Sequence, residues 1–351
     1  TFSGSISRRV PRSGVVVHRR RFVHEPFLTR SLAMTTPPAR PGDRRGLAAP
    51  VVPPATRFSE GRRSEIAVEV SRGRLERVRK GVYLAPVDAD GPARTRRAEV
   101  LRQVRAVEAR LSTTFWYSHA TAAVLHGCKT VRLSSAVHVT QLRAPNADQA
   151  RERDLRRHWT ALPERDRTAV DGLPVTTLER TVVDCARTLA SDQALVIADS
   201  ALRGDADPAL IRTILAESVG GRGVRRAREV VGLADPRAES AGESLLRWIM
   251  HDAGLPAAEV GYAVTTRRGD AWLDLAWPDR RVALEFDGAV KYSGGEYGDP
   301  ARRLFEEKLR QDALEENGWL VIRVVWEDLQ RPEALVARIR SALRSRAPRS
   351  R

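Results

Sequence analysis

The chain is poor in several residue types, and each shortage narrows what it can be. Its 351 residues include two cysteines, two methionines and four lysines, and aromatics make up only 5%. Cys128 and Cys185 lie far apart, with no second Cys or His at zinc-ligand spacing. They read as buried core thiols of a cytoplasmic, reducing compartment. No apolar run reaches the ~18 residues needed to cross a bilayer, so no membrane partner is expected. The basic residues comprise 56 Arg and only Lys80, Lys129, Lys291 and Lys308. A chain this biased uses Arg wherever a generic positive charge will do.

What is present is positive charge, unevenly placed. The net charge is +16, and residues 1–63 hold thirteen Arg against three acids, a net of +10. The remaining chain is only mildly basic. Residues 1–33 contain no Met, and Met34-Thr-Thr-Pro-Pro reads as a mature start behind an Arg-rich extension. Residues 35–63, rich in Pro, Gly and Arg, read as disordered or linker. The leader is either a solvated tail or a grip on nucleic acid or another anionic surface. Length allows two or three domains, and 42% hydrophobic residues allow real cores.

Past the linker, Ser64–Ser71 fits a short helix or a strand. Leu75-Glu-Arg-Val-Arg-Lys-Gly-Val-Tyr-Leu84 fits a hairpin turning at Gly81. A basic hairpin after a short helix is what a winged helix offers to DNA, through Arg77, Arg79 and Lys80; the alternative is an ordinary surface hairpin. Val100, Val104, Val107 and Leu111 make a helical stripe. Ser118 and Gly127 bracket another helix as N-cap and C′ residue. Val137–Thr140 is a short strand. Thr176 and Glu179 form a capping box for a helix through Leu189, with further helices from Ser191, Pro208 and Gly223. His119 and His126 share a helical face with no acid or Cys beside them, which favours packing or capping over ligation. Asp184 is a partner for Arg180, one turn away.

After Asp235-Pro236 the pattern changes to helix, three strands, helix and strand. The last strand, at 319–326, is apolar enough to be covered on both faces. In Val282-Ala-Leu-Glu-Phe-Asp287 the pleat puts Glu285 and Asp287 on one face, about 6–7 Å apart. A hairpin around Pro278-Asp279 brings Asp274 within reach of Glu285. Acids in buried strands cost free energy unless paired. A hard divalent cation, Mg²⁺ or Mn²⁺, suits such an oxygen cluster, and metal-carboxylate sites on strands cut phosphodiesters. The alternative is a solvated strand face with a turn at Asp287-Gly288.

The order Asp274, Glu285-Phe-Asp-Gly288, Lys291, a helix holding Arg310, then Gly318-Trp-Leu-Val-Ile-Arg323 resembles the very-short-patch-repair endonuclease branch of the PD-(D/E)XK nucleases. That resemblance covers residues 236–345. It implies that Asp274 and Glu285 bind Mg²⁺, with Glu243 as a further ligand or orienter, and that Arg310 lies in a DNA-binding domain. Asp287 stands where the parent motif has Lys, and Lys291 where this branch often has His. Lys291 or Lys308 would then supply the missing cation; if neither does, the domain binds DNA without cutting it. Upstream, Leu75–Tyr83, Ser118–Gly127 and Thr177-Leu-Glu-Arg-Thr-Val-Val-Asp184 resemble the AbiEi type IV antitoxin family over roughly residues 60–200. That implies a winged-helix head, a toxin-related interaction domain and a cognate toxin partner. Residues 40–63, where the first recognition helices belong, show no helical stripe.

The expected fold class is therefore α/β: a restriction-endonuclease-like αβββαβ mixed-sheet domain, preceded by a mostly helical α+β region with a winged-helix-like hairpin. The expected division is a leader and linker at 1–63, a winged-helix-like remnant at 64–92, an AbiEi-like domain at 93–235, a nuclease-like domain at 236–345 and a basic tail at 346–351. The expected function is metal-dependent DNA cleavage, with an antitoxin-like DNA-binding regulator carrying an inactive nuclease fold as the alternative.

Overall fold

A computed structural model describes residues 47–87, 91–146, 152, 154–288 and 300–346. Lys291, the start at Met34 and most of the leader lie outside these residues, as does the tail beyond 346. Among the described residues, eleven helices and three open sheets make an α/β fold. No helix among them is long and apolar enough to cross a membrane.

Residues 47–63 of the stretch read as linker are ordered. Val52 is buried with Val100, Val104 and Tyr117, and the Pro53 carbonyl accepts from Arg105 Nε at 3.2 Å. Proline has no N–H, so the half-buried Pro53 leaves no backbone donor orphaned there. Strand β1 (Thr56–Arg57) follows, then helix α1 (Arg63–Ser71) and a hairpin of β2 (Glu76–Arg79) and β3 (Val82–Leu84). The sheet order is β1-β3-β2, and Gly81 turns the hairpin with φ +75°. Val82 and Leu84 pack on Ala106 of α2 (Pro92–Glu108), so this head borrows its core from the next module.

The middle module has one five-stranded sheet and a helical layer. Its strands are β4 (Trp116–Tyr117), β5 (Val137–Gln141), β6 (Leu155–Trp159), β7 (Arg167–Val170) and β8 (Leu173–Thr176), in the order β6-β5-β4-β8-β7. Helix α3 (His119–Leu125) ends where Gly127 takes φ +84°; a Cβ there would stand 2.3 Å from the Ala48 carbonyl oxygen. The helical layer is α4 (Leu178–Thr188), α5 (Ser191–Arg203), α6 (Pro208–Glu217) and α7 (Val224–Leu233). The cap of α4 is Thr177, whose hydroxyl accepts from the Arg180 amide, one residue after the expected Thr176. Thr176 instead bonds Thr181, and Glu179 reaches the Asp207 amide. Cys128 and Cys185 are free and buried in this layer, as expected of core thiols.

The last module begins with α8 (Ala241–Asp252) and continues through β9 (Glu259–Thr266), β10 (Gly269–Trp277), β11 (Val282–Phe286), α9 (Pro300–Glu316), β12 (Leu320–Val324), α10 (Trp326–Leu329) and α11 (Pro332–Ser345). The sheet order is β12-β11-β10-β9, with β11 and β12 parallel and the other pairs antiparallel. Val282, Leu284 and Phe286 face α8 and α11, while Ala283 packs with Leu314 of α9. Against expectation, β12 is an edge strand and mostly half-buried, because it pairs with β11 alone.

The last two modules are joined by buried charge. Arg247 on α8 donates to Asp199 on α5 at 2.6 Å and also to the Leu233 carbonyl. The other Asp199 oxygen accepts from the Asp235 amide at 2.8 Å. The two side chains are 7% and 1% exposed. Removing one partner of such a pair leaves an uncompensated buried charge. Arg247→Met should lower unfolding stability by about 3–5 kcal/mol in chemical denaturation. Adding Asp199→Asn should recover part of that loss; an unchanged midpoint in the single variant would deny the pair its joining role.

Candidate functional site

The acids expected to bind metal are each engaged by protein groups. Backbone pairing of β10 with β11 stops at Leu275–Leu284. Beyond it, Asp274 Oδ2 accepts from the Phe286 amide at 2.8 Å, continuing the ladder by a side chain. Glu285 is 7% exposed and points toward α9. Its two oxygens accept from Arg310 at 2.6 and 3.2 Å. Arg310 also donates to the Trp272 carbonyl at 2.8 Å. Burial works against the Arg310 charge, but Glu285, Glu307 and Asp274 outweigh it and hold the guanidinium above its ordinary value. Arg323, beside Glu285 in the β11–β12 register, pairs with Glu307 and lies 3.9 Å from Asp287.

The structure thus brings together Asp274, Glu285, Asp287, Glu307, Arg310 and Arg323. The cation that balances Glu285 here is Arg310, which occupies one acceptor site on each of its two oxygens. Glu243 is not in this group. It sits in the first turn of α8, accepts from the Glu239 amide at 2.8 Å, and has Glu239 and Lys129 as its charged neighbours. Burial raises its pKa above the ordinary carboxylate value. Lys308 is exposed on α9, roughly 200° round the helix from Arg310.

The basic head divides into two kinds of side chain. Arg77 and Lys80 are exposed. Arg79 turns inward, its side chain 8% exposed, and donates to Gln103 at 3.1 Å, to Glu152 at 2.9 Å and to the Asp154 carbonyl. It fastens the hairpin to the middle module. Arg310, assigned to DNA contact from its position, also faces inward onto Glu285 and the sheet.

In the middle module the expected pair of Arg180 with Asp184 is present at 3.0 Å, and Asp166 joins it at 3.1 Å. His126 bonds the Thr176 carbonyl at 2.8 Å, a packed histidine. His119 does more than pack. Its ring stacks on His158 with centroids 3.7 Å apart, and His138 lies 3.0 Å from His158, Nδ1 to Nε2. Burial lowers all three pKa values, those of His138 and His158 to about 4. Sequence reasoning missed this group, because a parallel pairing of β5 with β6 is what assembles it. Leu142 and Trp159, at one end of the same two strands, are exposed.

Comparison with known proteins agrees with the middle module. Residues 116–233 match the AbiEi antitoxin C-terminal domain, from β4 to the end of α7. Two curated relatives, the uncharacterized proteins MT2308 of Mycobacterium tuberculosis strain CDC 1551 / Oshkosh and Rv2248 of strain ATCC 25618 / H37Rv, are each 33% identical over 280 residues. Those alignments span 79% of this chain and 95% of each relative. The chain therefore belongs to the family of these two mycobacterial proteins, and its residues 116–233 are similar to the AbiEi antitoxin C-terminal domain.

Proposed function

We propose that this protein is an antitoxin-like regulator: it binds a cognate toxin through the middle module and contacts DNA through the basic head. The match of residues 116–233 to the antitoxin domain carries this reading. The head supports it, since α1 is followed by a hairpin that exposes Arg77 and Lys80. The exposed Trp159 at the edge of the five-stranded sheet offers a partner an aromatic anchor.

A second reading is metal-dependent DNA cleavage by the last module. One observation favours it: Asp274 and Glu285 lie just beyond the last paired residues of β10 and β11, in the αβββαβ order of the resembled nucleases. The Arg310 clamp on Glu285 weighs against it.

The test is a mobility-shift assay of the full chain on the DNA upstream of its own gene, with and without the co-expressed product of the neighbouring gene. Binding is expected, together with a stable protein complex. Arg77→Ala with Lys80→Ala should weaken binding and flatten the salt dependence by about 2 in log–log slope. Absence of both DNA binding and complex formation would overturn the regulator.

The same preparation, incubated with plasmid and Mg²⁺ or Mn²⁺, should leave the DNA intact. Cleavage that disappears in Glu285→Ala would establish the second reading instead.

A further inference from the structure

We propose that His119, His138 and His158 form a binding site for a divalent first-row transition ion of the zinc class. The inference stands independently of the regulator reading. Three elements supply the ligands: the first turn of α3, the start of β5 and the end of β6. Each ring offers a nitrogen donor, and these atoms all lie within 4.8 Å of one another. This is the one such group of His, Cys, Asp or Glu among the described residues. A Zn–N bond of about 2.0–2.1 Å places tetrahedral donors roughly 3.3 Å apart. The His138–His158 separation of 3.0 Å is close to that, while the His119 ring, stacked on His158 with the planes 17° apart, must turn out of the stack so that its in-plane lone pair converges with the other two.

The donor chemistry selects the ion. Imidazole suits zinc, cobalt, nickel and copper, whereas magnesium and calcium take oxygen. A neutral imidazole ligates through the nitrogen that carries no proton. Ser118 Oγ lies 2.9 Å from His119 Nδ1. With the proton on Nδ1 and donated to that hydroxyl, Nε2 carries the lone pair, which is how metal-bound histidines are held in orientation. His119 takes φ +54°, a left-handed conformation uncommon for a non-glycine residue. Three protein nitrogens leave a fourth position for solvent. Thr140, cross-strand partner of His158, is 1% exposed, and its hydroxyl has no hydrogen-bond partner among the described residues.

Nearby charge sets the opposing cost. Arg156 acts on His138 and His158, while Arg180 and Arg187 act on His119. Asp166 and Asp184 pair with Arg180 and offset its share. The site is therefore of three nitrogens with no carboxylate, and its ion must be a good imidazole binder.

The experiment uses the full, tag-free chain, stripped with a chelator and dialysed. Calorimetric titration with zinc chloride should give one ion per chain, and cobalt chloride should give the visible bands of a four-coordinate site. His138→Gln and His158→Gln should each lower affinity by more than the factor of about 10–100 expected for Ser118→Ala. His126→Gln, on the same helix, should bind as the wild type does, and circular dichroism would report whether each variant folds. X-ray absorption of the zinc-loaded wild type needs no variant and should fit three imidazole nitrogens. No binding by the wild type, binding undiminished in folded His138→Gln and His158→Gln, or a zinc shell without three imidazoles would each overturn the site.

Discussion

The buried pair of Arg247 and Asp199 is the interaction on which the arrangement of the last two modules depends. Each charge would be costly alone in that position, and each is satisfied only when α8 lies on α5. The pair is further saturated by the Leu233 carbonyl and the Asp235 amide, which belong to the connection between the modules. The middle module, its connection and the first helix of the last module are therefore tied at one point. Phe286 of the sheet then presses on α8 where Gly242 leaves room; a Cβ there would stand 2.0 Å from the ring.

The same logic recurs at other acids among the described residues. Arg180 answers Asp166 and Asp184, Arg310 answers Glu285, and Arg79 answers Glu152. A guanidinium can donate in a planar fork to a carboxylate while a further N–H reaches a carbonyl, which an ammonium does less well. Arg310 does this with Glu285 and Trp272. The surplus of Arg over Lys thus has a structural use inside the modules as well as a surface one. It also explains why acids in buried strands are ambiguous: the residues that call for a metal are equally well held by an arginine one helix away.

Local patterns were legible wherever neighbours in sequence made the structure. The hairpin at 75–84, the left-handed Gly127, the Pro208 helix start and the αβββαβ order follow from turns, caps and periodicity. Errors arose where a distant residue decided. The cap moved from Thr176 to Thr177 because Thr176 ends β8 and bonds Thr181. Residues 47–57 looked like linker because Pro and Gly hide a segment whose one buried side chain, Val52, joins a core built elsewhere. Arg79 looked like a DNA contact because nothing near it in sequence shows Glu152 waiting for it.

The sequence by itself determined the class of fold, the helices and hairpins, the likeness to the antitoxin family and the presence of acids on inner strands. These depend on periodicity, turn chemistry and motif order, which are local. Tertiary structure alone decided which charges far apart in the chain meet. It placed Arg310 on Glu285, gave Glu243 the Glu239 amide as a partner, and stacked His119 of α3 on His158 of β6. Such contacts join residues whose separation along the chain carries no signal, because only the packed sheet and helices bring them within hydrogen-bonding distance.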